Sequence, residues 1–315
     1  HFLFCCTREW TSTPAMAPCC SLASRVFVLF AFAGDAFVGF IGEAIIIRQH
    51  GELNAKDLAW LHVPKAGSSF ATVLVAWGCP KLVDDMRRDP ENPHAAIAHR
   101  FCTQHAGSCS VARSLCSSHV PILDREGPDV VHSWPRSRGN FVAMFRQPEQ
   151  RHISGYHDKQ IMSTFGVAVH HGRYGSVSQY ARANAGCVVK LINGRTCSDE
   201  SHATVDMLEK AKQKVDDGFA FVGITEEWAL SVCLFHTMFG GKCMEHEFAN
   251  LRPGSANRSK AGYNTDVLEG WVDPYDGPLY EHVSATFWSN IESYGVSAAS
   301  CRKGVCVSAA RFFED

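Results

Sequence analysis

LAWLHVPKAGSSF, residues 58–70, is the stretch that decides the fold. Its first half, Leu58 to Val63, is a short apolar run that ends at Pro64, and such a run predicts a buried strand. Small residues fill 64–69, and a helical pattern runs from Ser69 to Trp77. A strand, a short turn and a helix in this order form the building unit of α/β proteins.

Two more apolar runs of the same kind follow, and each leads through polar residues into a helical pattern; they are 141–145 and 219–223. Helical spacing recurs in 149–161, 201–217, 226–239 and a late stretch where Leu279, Val283, Phe287 and Ile291 repeat every four residues. Because strands alternate with helices, we expect one α/β domain, with a three-layer α/β/α arrangement around a central, mainly parallel sheet. This domain covers 58–297, and Cys301 and Cys306 hold a C-terminal tail over 298–315.

The composition and charge of the chain exclude several classes of protein. It has 315 residues, of which 46% are hydrophobic and 20% charged, as in a folded globular protein rather than a disordered, collagen-like or multi-span membrane chain. The 30 Lys and Arg against 32 Asp and Glu leave a net charge of −2, so no global positive charge favours a nucleic-acid partner. We therefore expect no nucleic acid among its ligands.

The first 57 residues form a region of their own, which we interpret as a targeting segment and linker. Val26 to Ala33 is an apolar run that ends in an A-x-A site, an order typical of a secretory signal peptide. A retained membrane anchor over 26–47 is the second interpretation, disfavoured because Asp35 and Glu43 would each cost about 2–3 kcal/mol near the bilayer centre. The third interpretation is a buried apolar helix of a cytosolic protein.

Ten of the 14 cysteines follow this region, an even number without any C-x-x-C pair. That pattern favours structural disulfides over zinc ribbons or thioredoxin chemistry, and it supports the secretory pathway. The shortest spacings suggest the pairs Cys187–Cys197, Cys233–Cys243 and Cys301–Cys306, although spacing alone does not determine pairing. Asn257-Arg258-Ser259 is a glycosylation sequon.

The turn after the first predicted strand has the features of an anion-binding cradle. Ligands of α/β sheets bind beyond the carboxyl ends of the strands, which is where Lys65, Ser68 and Ser69 lie. Small residues let the backbone approach a bound group, and the helix that follows supplies N–H donors and a positive dipole. The P-loop pattern G-x-x-x-x-G-K-[ST] is absent, which disfavours ATP hydrolysis. A tight structural turn with one solvated Lys is the alternative.

The second predicted strand also ends in basic residues. In FVAMFRQPEQRHISGY, residues 141–156, Arg146 leaves the strand, Pro148 opens the next helix, and Arg151 and Ser154 stand three residues apart on its early turns. We predict that Arg146 and Ser154 converge on a second anion, since a guanidinium suits bidentate contact with phosphate. A solvated basic face is the alternative.

Together the two motifs resemble the cofactor motifs of sulfotransferases. The order strand–PKxGxS–helix and strand–RxPxxRxxSxY is similar to the luminal carbohydrate sulfotransferase branch, and so are FVGITE at 221–226 and DGPLY at 276–280. The resemblance covers 58–296 and departs from the usual Thr, Gly and Asp at Ala66, Ser68 and Gln147. It implies a P-loop-like α/β/α fold and the sulfuryl donor 3′-phosphoadenosine 5′-phosphosulfate (PAPS), whose product is PAP.

The resemblance also implies which residues hold this donor. By resemblance, the 5′-phosphosulfate is held by Lys65, Ala66, Gly67, Ser68 and Ser69, and the 3′-phosphate by Arg146 and Ser154. Arg252 and Arg258 lie where relatives close a basic loop over the cofactor. Lys65 would also offset the charge that grows on the leaving oxygen as the S–O bond breaks.

Transfer to a hydroxyl needs a general base, and near neutral pH a histidine suits that role. By resemblance the base lies between the two motifs; His132 in VVHSWP is our first choice, followed by His119 in SHVP and His99 in AHRF. Ordinary surface or core histidines are the alternative at each position. No metal is expected, because the His and Cys residues between 94 and 109 match no standard zinc spacing.

The sequence therefore predicts a sulfotransferase that moves the sulfuryl group of PAPS to a hydroxyl of a glycan or polysaccharide by in-line displacement. We expect it in the secretory pathway, most simply the Golgi lumen, with membrane contact only through a retained N-terminal anchor. Two alternatives stay open. One is a sulfotransferase that acts on protein tyrosine or a small alcohol, and the other is a secreted, disulfide-stapled module that binds sulfated or phosphorylated glycans without turnover. The oligomeric state is left open.

Overall fold

The computed structural model describes residues 58–79, 115–116, 119–158, 173–248 and 262–313, and the backbone of 160–163 and 166–169. The predicted signal peptide or anchor within 1–57 lies outside these residues. Among the helices that are described, none is long and apolar enough to cross a membrane.

A parallel sheet of three strands lies at the centre of the described part. The strands in chain order are β1 (Ala59–Leu61), β2 (Phe141–Phe145), β3 (Gln160–Ser163), β4 (Gly166–Val169) and β5 (Phe219–Ile224). The sheet has the order β1-β2-β5, so all three strands end at the same edge. Strand β3 pairs with β4 in a separate antiparallel hairpin. The predicted strands at 58–63, 141–145 and 219–223 and their parallel pairing are confirmed.

Many helices accompany this sheet in the described part of the chain, so the fold is mixed α/β. They are α1 (Phe70–Gly78), α2 (Trp134–Ser137), α3 (Pro148–His157), α4 (Val177–Ala183), α5 (Cys187–Ile192), α6 (Val205–Gly218), α7 (Trp228–Phe239), α8 (Asp276–Ser293) and α9 (Ala298–Lys303). Among the described residues, 3₁₀ turns span Thr225–Glu227, Glu245–Glu247, Thr265–Leu268 and Val307–Phe313. The predicted tail is thus α9 and the last of these turns.

Aromatic packing joins β5 to α1 and α7. The Phe221 ring stacks on Phe70 of α1 with 5.5 Å between centroids and meets Phe235 of α7 edge-on at 5.3 Å. All three side chains are buried. Aromatic pairs of this kind stabilise the fold beyond the burial of their surface. They hold the start of α1 directly after the turn that follows β1.

Helix α8 presents the apolar face that its spacing predicts. Leu279, Val283, Phe287 and Ile291 are all buried, and α8 contacts both β5 and α6. Helix α6 starts after Thr204, whose hydroxyl accepts a hydrogen bond from the Met207 N–H at 3.2 Å. The cap explains why the helix begins at Val205, inside the predicted range 201–217.

The prediction of one helix over 149–161 is wrong beyond His157. Helix α3 ends there, and Gln160–Ser163 is instead β3, paired residue by residue with β4. The β4 sequence Gly166–Val169 has a β-branched residue at every second position, which favours an extended partner over another helical turn.

The disulfides confirm one suggested pair and correct two. Cys187–Cys197 is present, but Cys233 pairs with Cys301 and Cys243 with Cys306. Spacing misled the prediction because α9 lies against α7, so cysteines 68 and 63 residues apart in the chain meet in space. The tail is therefore held as expected, but by bonds to α7 and the segment after it. Cys79 and Cys116 are disulfide-bonded as well.

Candidate functional site

Three turns meet where the parallel strands end, and we call this place the strand-end site. It consists of residues 62–69 after β1, Arg146 and Gln147 after β2, and Thr225 and Glu226 after β5. Ligands of parallel α/β sheets bind at this edge, beyond the carboxyl ends of the strands. The fold thus brings together the segments that the sequence analysis singled out separately.

The turn after β1 has a shape that depends on a glycine. Lys65 and Gly67 both have positive φ, +60° and +75°. A Cβ atom added to Gly67 would lie 2.9 Å from Thr225 Cγ2 and 2.9 Å from the Trp228 ring. Only glycine therefore fits between this turn and the start of α7 without displacing its neighbours.

The same turn offers a row of backbone donors. The carbonyls of Gly67, Ser68 and Ser69 accept hydrogen bonds from the first N–H groups of α1, at 2.9–3.2 Å. Within the part of the chain that the structure describes, the N–H groups of these three residues donate to no protein acceptor. Ser69 stands at the N-cap position, but its hydroxyl does not cap the helix. Consecutive unpaired N–H groups at a helix start suit a sulfate or phosphate group.

Lys65 links this turn to both ends of the second motif. Its ammonium group forms an ion pair with Asp158 at the end of α3, and its carbonyl accepts a hydrogen bond from Arg146 Nη1 at 3.4 Å. The Lys65 side chain is 13% exposed and that of Asp158 is 45% exposed. The predicted pair Lys65 and Arg146 is thus brought together, and an anion at Lys65 would have to share it with Asp158.

Arg146 has an aromatic neighbour. Its guanidinium lies 5.6 Å from the centre of the Tyr263 ring, within the range of a cation–π contact. Gln150 on α3 holds Tyr263 by two hydrogen bonds: its amide donates to the Tyr263 carbonyl at 2.8 Å and accepts from the Tyr263 N–H at 2.7 Å. The cation is therefore held between the turn after β1 and a fixed ring.

Glu226 connects the third strand end to the other two. Its carboxylate accepts hydrogen bonds from the Gln147 N–H at 3.1 Å, from the Tyr280 hydroxyl at 3.1 Å and from the Thr225 hydroxyl at 3.2 Å. Burial and the nearby carboxylate of Glu226 raise the pKa of Tyr280, so its hydroxyl stays a donor. Glu226 thereby fixes the start of α3 against the end of β5 and against α8.

Ser154 and Arg151, on the same helix, lie deeper. Ser154 is 1% exposed, so contact with a phosphate would require neighbouring residues to move. Arg151 is fully buried and pairs with Asp276 at 2.7 Å. The structure therefore places Arg146 at the strand-end site and keeps Ser154 inside the protein.

His132, the first choice for the general base, is enclosed in the core. It is 0% exposed, its Nδ1–H donates to the Val120 carbonyl at 2.9 Å, and its ring meets Phe141 edge-on. Burial lowers the pKa of His132 to about 4, against the hydrogen bonds of the Val120 and Trp60 backbone. A ring in this position is a weak base without access to a bound substrate.

His119, the second choice, lies at the strand-end site beside His62. Its Nδ1–H donates to the His62 carbonyl at 2.9 Å, and the two rings are 4.3 Å apart between centroids. His119 has a positive φ of +48°, unusual for a residue other than glycine. Because Nδ1 carries the proton of the neutral ring, Nε2 is the nitrogen that could accept one.

The remaining predicted residues lie outside the described part of the chain; these are His99, Arg252, Arg258 and the sequon 257–259. Four contributors to the site were not predicted from the sequence; these are His62, Asp158, Glu226 and Tyr263. Two signals were available: His62 directly precedes the cradle, and Glu226 ends the FVGITE segment. Asp158 and Tyr263 reach the site only through folding, so no local pattern marks them.

Two groups of buried side chains in the described part have the composition of a metal site. One is His236, Cys243 and Glu247, and the other is His152, Asp273 and Asp276. Cys243 is bonded to Cys306, so its sulfur is not a thiolate. The second group lies against the Arg151 cation, whose Nη2 lies 2.7 Å from Asp276 Oδ2. Both groups therefore act as hydrogen-bonding clusters of the core.

Comparisons of this chain with protein-family models, with curated proteins and with solved structures give no match.

Proposed function

We propose that the chain is a PAPS-dependent sulfotransferase with a P-loop-like α/β/α fold that acts on a hydroxyl of a glycan. The observation that carries this proposal is the meeting of three separate motif segments at one sheet edge. Arg146 bonds to Lys65, Gly67 fits against Thr225, and Gln147 bonds to Glu226. The disulfides favour an oxidising compartment, and we place the enzyme in the Golgi lumen.

The donors present fit an anionic cofactor. The N–H groups of Gly67, Ser68 and Ser69 and the Lys65 ammonium would hold the phosphosulfate, and Arg146 would hold the 3′-phosphate. PAPS supplies the sulfuryl group when it is bound. Lys65 stabilises the negative charge that develops on the leaving oxygen, and its own pairing with Asp158 keeps it in place before binding.

We assign the general base to His119 rather than His132. His119 lies beside His62 at the strand-end site, and its Nδ1–H is bonded to the His62 carbonyl, so Nε2 is the ring nitrogen that would take the proton of the acceptor hydroxyl. His119 is 5% exposed and His132 is 0% exposed, and burial lowers the pKa of His132 to about 4. The base we propose is thus the histidine that bonds to His62, which precedes the cradle.

Calorimetric titration of PAP into the full chain tests the cofactor site. Arg146→Ala should weaken binding by about 2 kcal/mol, or about 30-fold, because a charged hydrogen bond is lost. Arg138→Ala is the matched control, since Arg138 is an exposed arginine that pairs with Asp217. This control should change affinity by about 0.5 kcal/mol or less. Equal affinity in all three proteins would contradict the site.

Sulfate transfer from labelled PAPS to a panel of glycans tests catalysis. His119→Ala should lower the rate by about 100-fold or more, as expected for a lost general base, while PAP affinity is kept. His132→Asn should keep most of the activity. PAP binding without any transfer would favour the non-catalytic glycan-binding module.

A further inference from the structure

Four polar side chains form a fully buried cluster between α3 and the start of α8. Arg151 Nη2 lies 2.7 Å from Asp276 Oδ2, and His152 Nε2 lies 2.9 Å from Asp273 Oδ2. All four residues are at most 2% exposed. We call this set the α3 clamp. It joins the RxPxxR segment directly to the late DGPLY segment, two motifs that the strand-end site connects only through Glu226.

The two carboxylates of the α3 clamp are fixed by backbone donors. Asp276 accepts the N–H groups of Val188 and Val189 at 3.0 Å each, and Asp273 accepts those of Gly186 at 3.1 Å and of Asp276 itself at 2.9 Å. These bonds tie the acids to the starts of α5 and α8. The carboxylates therefore cannot follow Arg151 if α3 shifts.

The α3 side of the clamp lies close to Arg146 in the chain, since Arg151 follows it by five residues. Helix α3 begins two residues after Arg146, and its first turn makes a further bond to the same segment, since Glu149 Oε1 accepts the Asp273 N–H at 3.2 Å. Glu149 Oε2 also accepts from the Gln147 side chain at 2.6 Å. The bonds to Asp273 and Asp276, together with the bond from Gln147 to Glu226, thus hold the turn that carries Arg146.

Stability alone does not account for a buried pair of this kind. The desolvation of two charges roughly cancels their attraction, and apolar replacements are often as stable. A directional ion pair fixes one position and angle of a helix, which apolar packing does less sharply. Arg146 reaches the Lys65 carbonyl at 3.4 Å, near the limit of a hydrogen bond. A small shift of α3 would therefore break this contact.

We propose that Arg151 and Asp276 are positioning residues, which hold α3 so that Arg146 faces the turn after β1 and the site can bind a ligand with two anionic groups. The identification of that ligand with PAP rests on the proposed function. The positional claim itself concerns the unliganded protein, so it can be tested separately.

The test compares PAP affinity and amide hydrogen exchange in the full chain. The main variant combines Arg151→Met with Asp276→Asn, which removes both charges and leaves an amide oxygen for the Val188 and Val189 N–H groups. Affinity should fall by about 10-fold or more, since small displacements of binding groups have large effects. Exchange over 62–70 and 141–157 should be faster without ligand. Arg151→Lys, which keeps the charge but not the planar guanidinium, should restore part of the affinity.

Phe287→Leu is the matched control. It weakens the packing of α8 at a buried position three turns from Asp276, and it should leave PAP affinity within about 2-fold because distant sites act independently. An equal loss in this control, or unchanged affinity in the double variant, would overturn the proposal. If the parent chain binds no PAP, the proposed function fails. The positional claim is then tested by exchange alone, and unchanged exchange over 62–70 in the double variant would overturn it. If the double variant does not fold, unchanged affinity and exchange in Arg151→Lys would also overturn it.

Discussion

Acidification should weaken the folded state through His132, and this can be measured without any ligand. The ring is fully buried, and its pKa is lowered from 6.5 to about 4, first by burial and further by the nearby Arg136 cation. In the unfolded chain the same ring takes up a proton below its ordinary pKa. Between these two values the unfolded state binds more protons than the folded state, so stability falls as pH falls.

The size of this effect follows from the two pKa values. The difference between 6.5 and about 4 corresponds to about 3 kcal/mol, because each pKa unit is worth about 1.4 kcal/mol. This contribution is fully present above the unfolded pKa and is lost as pH falls towards the folded pKa. Between about pH 7.5 and pH 5, we expect His132 to remove about 2 kcal/mol from the free energy of unfolding.

Urea unfolding of the oxidised chain at several pH values, compared with His132→Asn, isolates this contribution. The Asn amide can still donate to the Val120 carbonyl, so the variant loses ring packing, a cost that does not depend on pH. Stability of the variant should therefore fall less steeply on acidification than that of the parent. His202→Asn, at an exposed histidine, is the control and should follow the parent curve. Parallel curves for the parent and His132→Asn would refute the reasoning.

Three further changes test the frame of the site. Gly67→Ala introduces a Cβ at 2.9 Å from two neighbours and at a φ of +75°, so urea unfolding should show a loss of about 2 kcal/mol or more. Unchanged stability would mean that the turn has another shape. Replacing Cys243 and Cys306 by Ser opens a link across 63 residues and should cost about 4 kcal/mol in thermal unfolding under oxidising conditions. If the variant is still less stable than the parent after the parent has been reduced, the effect comes from packing at these positions and not from the disulfide. Tyr280→Phe removes the 3.1 Å hydrogen bond to Glu226 and should lower the free energy of unfolding by about 1 kcal/mol. Unchanged stability would mean that the hydroxyl bonds to water instead.

The sheet and most helices were predictable because their signals are local. The buried run at 141–145 matches β2, and the four-residue repeat from Leu279 to Ile291 matches the buried face of α8. Apolar runs and helical periodicity report burial directly, residue by residue. Helix ends were less certain, since they depend on single caps such as Thr204.

Contacts between distant segments could not be predicted in the same way. The pairing of Cys233 with Cys301 depends on how α9 packs against α7, which no spacing rule contains. The choice between His132 and His119 could not be made from sequence for the same reason. Both lie between the motifs and both are buried, and the carbonyls they bond to, Val120 for His132 and His62 for His119, are what distinguishes them. Sequence patterns name candidates, and the fold decides which of them reach the site.

The charges around the strand-end site indicate that the backbone of the turn after β1 contributes more to anion affinity than the number of basic residues does. Lys65 is paired with Asp158, and Glu226 adds a carboxylate next to Arg146 in the bonded network, so among the described residues of this site cations and acids balance. Attraction from more distant charges is screened beyond about 8 Å at physiological salt. The N–H donors of 67–69 carry no opposing charge and lose little to screening. Affinity for a sulfate or phosphate group should therefore depend mainly on the backbone shape that Gly67 permits.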